Sequence, residues 1–118
     1  MEPFESNHHL VVRIDGSKIR DFDSFHGEFA DVFGFPGFYG CNMNAWIDCM
    51  TYLDDPEAGM TKLHVKQGGM LILVIDNATQ MKKQCKEVFE ALCELTAFVN
   101  WRRMDMGEEP VLALSFHA

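Results

Sequence analysis

The chain has 118 residues, of which 47% are hydrophobic and 24% charged, and its net charge is −8. That length holds one hydrophobic core and not two, and the apolar-to-charged balance excludes a disordered chain. No apolar run approaches the ~20 residues of a membrane span, and a strongly acidic chain repels nucleic acid.

Residues 1–9, MEPFESNHH, read as a loose leader. They carry acids and no basic region ahead of an apolar core, which is not the pattern of a secretory signal. His8 and His9 are adjacent, point differently on any regular element, and read as leader residues rather than metal ligands. Residues 10–118 are expected to form a single domain. Leu10, Val11, Val12, Arg13 and Ile14 predict a buried strand that ends at Asp15-Gly16. Asp21, Asp23 and Ser24 offer a helix start, and Phe22, Phe25, Phe29, Val32 and Phe33 then recur at helical spacing as far as Gly34. This is a core stripe, and His26, off the stripe, is expected to be exposed.

Phe35 to Leu53 is the most informative stretch, FPGFYGCNMNAWIDCMTYL. Pro36, Gly37 and Gly40 interrupt the preceding helix and set an aromatic loop. Asn42 stands where a helix N-cap belongs. Ala45, Trp46, Cys49, Met50 and Leu53 make the buried stripe of the helix that follows, while Asn44, Asp48 and Thr51 form a polar line on another side. One face serves folding and the other is available for binding. An acidic turn follows, from Asp54 to Gly59. Residues 61–76 predict either a β-hairpin or an irregular segment leading into a strand. Met70–Ile75 lacks alternation and should be a central strand covered on both faces. Gly68-Gly69 precedes that strand rather than following it, which sets aside a phosphate loop. Asn77 and Thr79 can cap one last long helix whose core stripe runs from Met81 through Cys85, Val88, Phe89, Leu92 and Leu95 to Val99. Lys82, Lys83 and Lys86 then lie at its N-terminal end, against the helix dipole. Trp101–Arg103 end that helix or start a loop, Met104–Pro110 form a loop, and Val111–Phe116 make the last strand. The element order predicts an α/β fold with a small, mostly parallel sheet of three to four strands packed by helices.

The four cysteines, Cys41, Cys49, Cys85 and Cys93, form two pairs, each spaced by eight. Two residues eight apart on a helix are ~12 Å apart along its axis, too far for a disulfide within either pair. Reduced, mostly buried cysteines in a cytoplasmic protein are expected. The charge is unevenly spread: from Asp21 to Thr61 there is no Lys or Arg, but Asp21, Asp23, Glu28, Asp31, Asp48, Asp54, Asp55 and Glu57 all fall there. On composition alone such a block reads as a solvated acidic surface that serves solubility; it would also attract a basic protein surface. No nucleophile elbow, zinc pattern or dinucleotide fingerprint occurs, so neither metal nor cofactor is expected. Asp48 with Glu90 or Glu94 is the one carboxylate pair that could do acid/base work, and an enzyme is not expected.

The segment VVRIDGSKIRDFDSFHGEFADVFGFPGFYGCNMNAWIDCM resembles the barstar family of ribonuclease inhibitors. The strand with Asp15-Gly16, Ile19 and Phe25 carries part of the likeness. The more specific part is FPGFYGCNMNAWIDCM: a proline, two aromatics, a glycine, an asparagine and a helix with a late aspartate. The resemblance is good over residues 10–53 and implies a three-stranded parallel sheet packed by helices. It implies that an acidic helix and its preceding loop enter the active-site cleft of a basic ribonuclease or nuclease toxin, as an immunity protein would. The matching positions here are Phe38 and Tyr39 in the loop and Asn44, Ile47, Asp48 and Thr51 on the helix. Asp48 matches the family's central carboxylate, whereas Asn44 stands in place of a second aspartate and Ile47 in place of a tryptophan. The family's glutamate from the last helix aligns near Ala91, beside Glu90 and Glu94. The alternative is a barstar-like interaction module without nuclease inhibition. No direct nucleic-acid or membrane partner is expected, and the free protein is expected to be a monomer.

Overall fold

The computed structural model describes the backbone of residues 4–6 and 9–118 and the side chains from residue 9 onward. The sheet has the order β1 (Phe4–Ser6), β2 (His9–Asp15), β3 (Met70–Asp76), β4 (Leu112–Phe116). β2, β3 and β4 are parallel, and β1 is an antiparallel edge strand that pairs Phe4 with Val11 and Ser6 with His9. Part of the segment expected to be a loose leader therefore extends the sheet: backbone beside an open sheet edge gains hydrogen bonds by pairing. His9 opens β2 and is exposed, and His8 lies outside the described residues.

Four helices connect these strands: α1 (Phe22–Phe33), α2 (Met43–Thr51), α3 (Ala78–Gln84) and α4 (Lys86–Asp105). The result is an α/β fold with a parallel three-strand centre. β3 is the middle strand, flanked by β2 and β4. Leu71, Leu73 and Ile75 are fully buried on one of its faces; on the other Val74 is buried but Met70 and Ile72 are only half-buried. Coverage is thus uneven, and β2 shows the same asymmetry: Leu10, Val12 and Ile14 are buried while Val11, Arg13 and Asp15 are half-buried. Arg13 from β2 makes a two-pronged ion pair with Asp76 at the end of β3, at 2.8 and 2.9 Å. Residues 61–69 are irregular and add no hairpin to the sheet.

The caps of α1 and α2 act as their residue types dictate, whereas Asn77, expected to cap the helix after β3, makes no side-chain capping bond there and donates to Asp15 Oδ1 instead. Asp21 accepts from the backbone N–H of Ser24, and the Ser24 hydroxyl accepts in return from the N–H of Asp21, a reciprocal capping box for α1. Gly34 closes α1 in the left-handed region, at φ 67°, which glycine adopts without the usual side-chain penalty. A Cβ there would also meet the Lys62 side chain at 2.7 Å. Asn42 caps α2 by accepting from the N–H of Ala45 at 2.8 Å.

The long last helix predicted from one core stripe is in fact two. Cys85, at φ −154° and ψ 86°, separates α3 from α4. Gln84 at the end of α3 donates to the carbonyls of Ser17 and Ile19 at 3.2 and 3.1 Å. These bonds tie the end of α3 to the turn after β2, and α4 starts at Lys86. Lys82 and Lys83 consequently lie in the last turn of α3, where the dipole favours them. α4 runs to Asp105, so Trp101, Arg102 and Arg103 end up on the helix and it continues two residues into the expected loop.

Candidate functional site: the outer side of α2 and its loop

The loop from Gly34 to Asn42 is held from beneath by aromatic rings. Phe33 and Phe35 have ring centroids 5.9 Å apart, and Phe35 and Tyr39 4.6 Å. The Tyr39 N–H donates to the Pro36 carbonyl at 2.9 Å, closing a turn that projects Phe38 outward. Phe38 is 78% exposed, while Tyr39 turns inward and its hydroxyl meets His26 Nδ1 at 2.5 Å. Burial pushes the Tyr39 hydroxyl pKa well above its ordinary value and lowers that of His26, with Asp23 partly opposing the latter.

His26 is therefore not exposed as its place off the aromatic stripe suggested; it is 3% exposed, between α1 and the loop. The signal was present in the spacing, because His26 lies three before Phe29 and seven before Phe33, on the same helical line. Phe22, assigned to the core, is the ring that ends up exposed.

α2 rises from this loop. Trp46, Cys49 and Met50 face the core. Burial, with Asp48 adding to it, pushes the Cys49 thiol up to about 11. The four cysteines are free, as expected, but only Cys49 is buried, and Cys41 and Cys93 are exposed.

The six candidate residues fall into three places around α2. Phe38, Tyr39 and Asp48 share a cleft of about 140 Å³ between the loop and the helix, walled by Ala45, Cys49 and Met60. Asn44 and Ile47 line a groove of about 360 Å³ against α4, with Ala91, Glu94, Leu95 and Phe98 opposite. Asn44 is exposed, but Ile47 is buried, because α4 packs over that side of α2 and widens the core stripe. Thr51 departs furthest from expectation. It is 0% exposed, and its hydroxyl donates to the Ile47 carbonyl one turn back at 2.6 Å, a common way to satisfy a buried threonine. Thr51 is thus a structural residue and presents no surface to a partner.

Two residues of the site escaped the sequence reading. Arg102 of α4 donates through Nη1 to Asp48 Oδ1 at 2.8 Å. Its neighbour Arg103 is buried and pairs through two bonds, 2.8 and 3.0 Å, with Asp54. Arg103 also donates to the carbonyls of Thr51 and Glu109, each at 2.7 Å. The stretch that lacks Lys and Arg in sequence thus receives two cations in space from the far end of the chain. Asp48 pairs with Arg102, and Glu94 instead lines the groove beside Asn44. Nearby on α4 the exposed rings of Phe98 and Trp101 lie against each other, centroids 5.6 Å apart.

An aromatic loop leading into a capped helix that exposes one carboxylate, beside a parallel three-strand centre, is the arrangement that the sequence likeness implied. A family model described as Barstar (barnase inhibitor) matches residues 9–113. The chain belongs to the barstar family. The match extends well beyond residues 10–53 and takes in the break at Cys85, both arginines of α4 and the first two residues of the last strand. Barstar-family proteins are inhibitors that bind a ribonuclease as a protein partner and are not enzymes. Comparison with curated proteins yields no match. Among the described residues no helix is long and apolar enough to cross a membrane.

Proposed function

We propose that this barstar-family chain inhibits a basic ribonuclease or nuclease toxin inside the cell, by seating α2 and the preceding loop over the catalytic cleft. The observation that carries this reading is the shared cleft of Phe38, Tyr39 and Asp48. A half-exposed carboxylate lies beside an outward aromatic ring, in a stretch without a single Lys or Arg of its own. A nuclease cleft holds its phosphate with cations, and a carboxylate on a rigid helix can occupy that phosphate position. Phe38 supplies apolar area that is already in water and needs no rearrangement to be covered. Asn44 keeps a hydrogen-bonding edge at the rim, and Ile47 forms the floor of the adjoining groove.

Inhibition of RNA cleavage by barnase or a toxin nuclease from the source cell tests this, with wild type and Asp48→Ala in parallel. The variant should lose at least ~2 kcal/mol of binding, roughly thirtyfold, the cost of truncating a desolvated interfacial hot spot; measurements on barstar itself helped to set that scale. Phe38→Ala should weaken inhibition less. Equal inhibition by wild type and Asp48→Ala would move the interface off α2. Capture of a partner with no nuclease activity would favour a barstar-like interaction module instead.

A further inference from the structure

Asp48 is the only carboxylate on α2, yet it does not stand as a free charge. Arg102 reaches it across the α2–α4 contact with one hydrogen bond, Nη1 to Oδ1 at 2.8 Å. The two side chains are 33% and 49% exposed. Asp48 Oδ2 and the other guanidinium donors of Arg102 make no hydrogen bond among the described residues. Water and salt compete for a half-exposed, single-bonded pair, so it opens readily. The next residue shows the contrast. Arg103 is buried, forms a two-pronged pair with Asp54 and holds two carbonyls besides. Adjacent arginines at the end of α4 thus do different work: Arg103 fastens the C-terminal end of α2, and Arg102 sits on its charge.

We propose that Arg102 is a specificity-determining residue of the partner-binding face, a built-in counter-ion that masks Asp48 until a partner's cation displaces it. The proposal rests on the inhibitor reading for its biological use, although masking is a property of the free chain. A cationic surface approaching Asp48 meets Arg102 at almost the same distance. It therefore senses a dipole rather than a bare negative charge, and the attraction falls off more steeply. A partner that delivers a cation directly to Asp48 pushes the guanidinium aside at small cost, because the pair is weak. A partner that only passes a diffuse positive surface over α2 gains little. The mask thus discriminates against loosely basic proteins.

The test uses two probes, barnase and a hexa-arginine peptide. Affinity for barnase is measured for wild type, Arg102→Met, Asp48→Asn and the double variant. Lys83→Met, an exposed lysine on α3, reports the generic gain from removing one positive charge. The peptide is titrated against the same set and followed by NMR at the Asp48 backbone amide. Arg102→Met should tighten binding about two- to fivefold beyond the Lys83→Met control, and the gain should vanish in the Asp48→Asn background. An unchanged or weakened affinity, or a gain that persists without Asp48, overturns the mask. Should barnase not bind while the peptide shows the Asp48-dependent gain, the mask stands and the inhibitor reading fails for that nuclease. Should barnase bind with no such gain from either probe, the inhibitor reading stands and the mask is overturned.

Discussion

The His26 imidazole shows how one buried side chain connects the fold to the binding loop. It lies between α1 and the loop, with Nδ1 on the Tyr39 hydroxyl, and burial holds its pKa below the ordinary 6.5. The charged form is disfavoured in the folded protein, so the unfolded chain binds the proton first as pH falls. The neutral state's contribution to stability is complete above about pH 6.5, is lost as pH falls from there towards the depressed folded value, and then levels. Asp23 is the charged group that opposes the shift. Urea unfolding between pH 7.5 and 5 should show stability declining in wild type. His26→Gln, which keeps a hydrogen-bonding side chain and does not titrate, should show a shallower decline. Parallel pH profiles for the two proteins would remove His26 as the source. Tyr39→Phe, which leaves Nδ1 without its partner, should cost ~1–3 kcal/mol at neutral pH.

Among the elements, α2 was the most legible and its surroundings the least. Asn42, the core stripe and the Gly34 and Asp21 caps are local signals, and local signals fix helix ends. The break at Cys85 carries neither glycine nor proline, and the apolar spacing continues unbroken across it. Beside it Gln84 bonds to carbonyls 65 and 67 residues away, contacts which no window of sequence reports. The same holds for the arginines of α4. Arg102 lies seven residues after Leu95, on the line that faces α2, but only the distant packing shows that Asp48 and Asp54 wait there. Ile47 and Thr51 were misplaced for one reason: α4 covers a side of α2 that periodicity alone left open. Arg103 is the element-scale test of this packing. Arg103→Met keeps the aliphatic stem and removes the charge, leaving Asp54 and two carbonyls without their donor. It should destabilise the fold by ~3 kcal/mol, read from the urea midpoint. Asp48-dependent binding should weaken in the same variant, because the Thr51 carbonyl at the end of α2 loses its anchor. A loss below ~1 kcal/mol would mean that water replaces Arg103 and that α2 is held by apolar packing alone.

At the scale of the whole molecule, the acids around α1 and α2 fall into two groups with different consequences. Asp48 and Asp54 are paired by α4, so they act at short range and only once their surroundings are desolvated. Asp23 and Asp31 on α1 and Asp55 and Glu57 in the turn after α2 are exposed, and they belong to the unpaired part, among the described residues on this side of the chain, of the −8 net charge that a basic partner senses from a distance. Long-range attraction speeds encounter and is screened within roughly 8 Å at physiological salt, whereas contact energy governs escape. The two groups should therefore separate in the kinetics of binding to a basic nuclease. Neutralising Asp23 and Asp31 together to Asn should slow association several-fold at low salt, with the difference disappearing above about 0.5 M, and should leave dissociation unchanged. Asp48→Ala should do the reverse, speeding dissociation at every salt concentration with only a modest effect on association. Stopped-flow or surface-based kinetics across a salt series would read both. If the α1 pair instead altered dissociation, α1 would be part of the contact surface, and the interface would be broader than α2 and its loop.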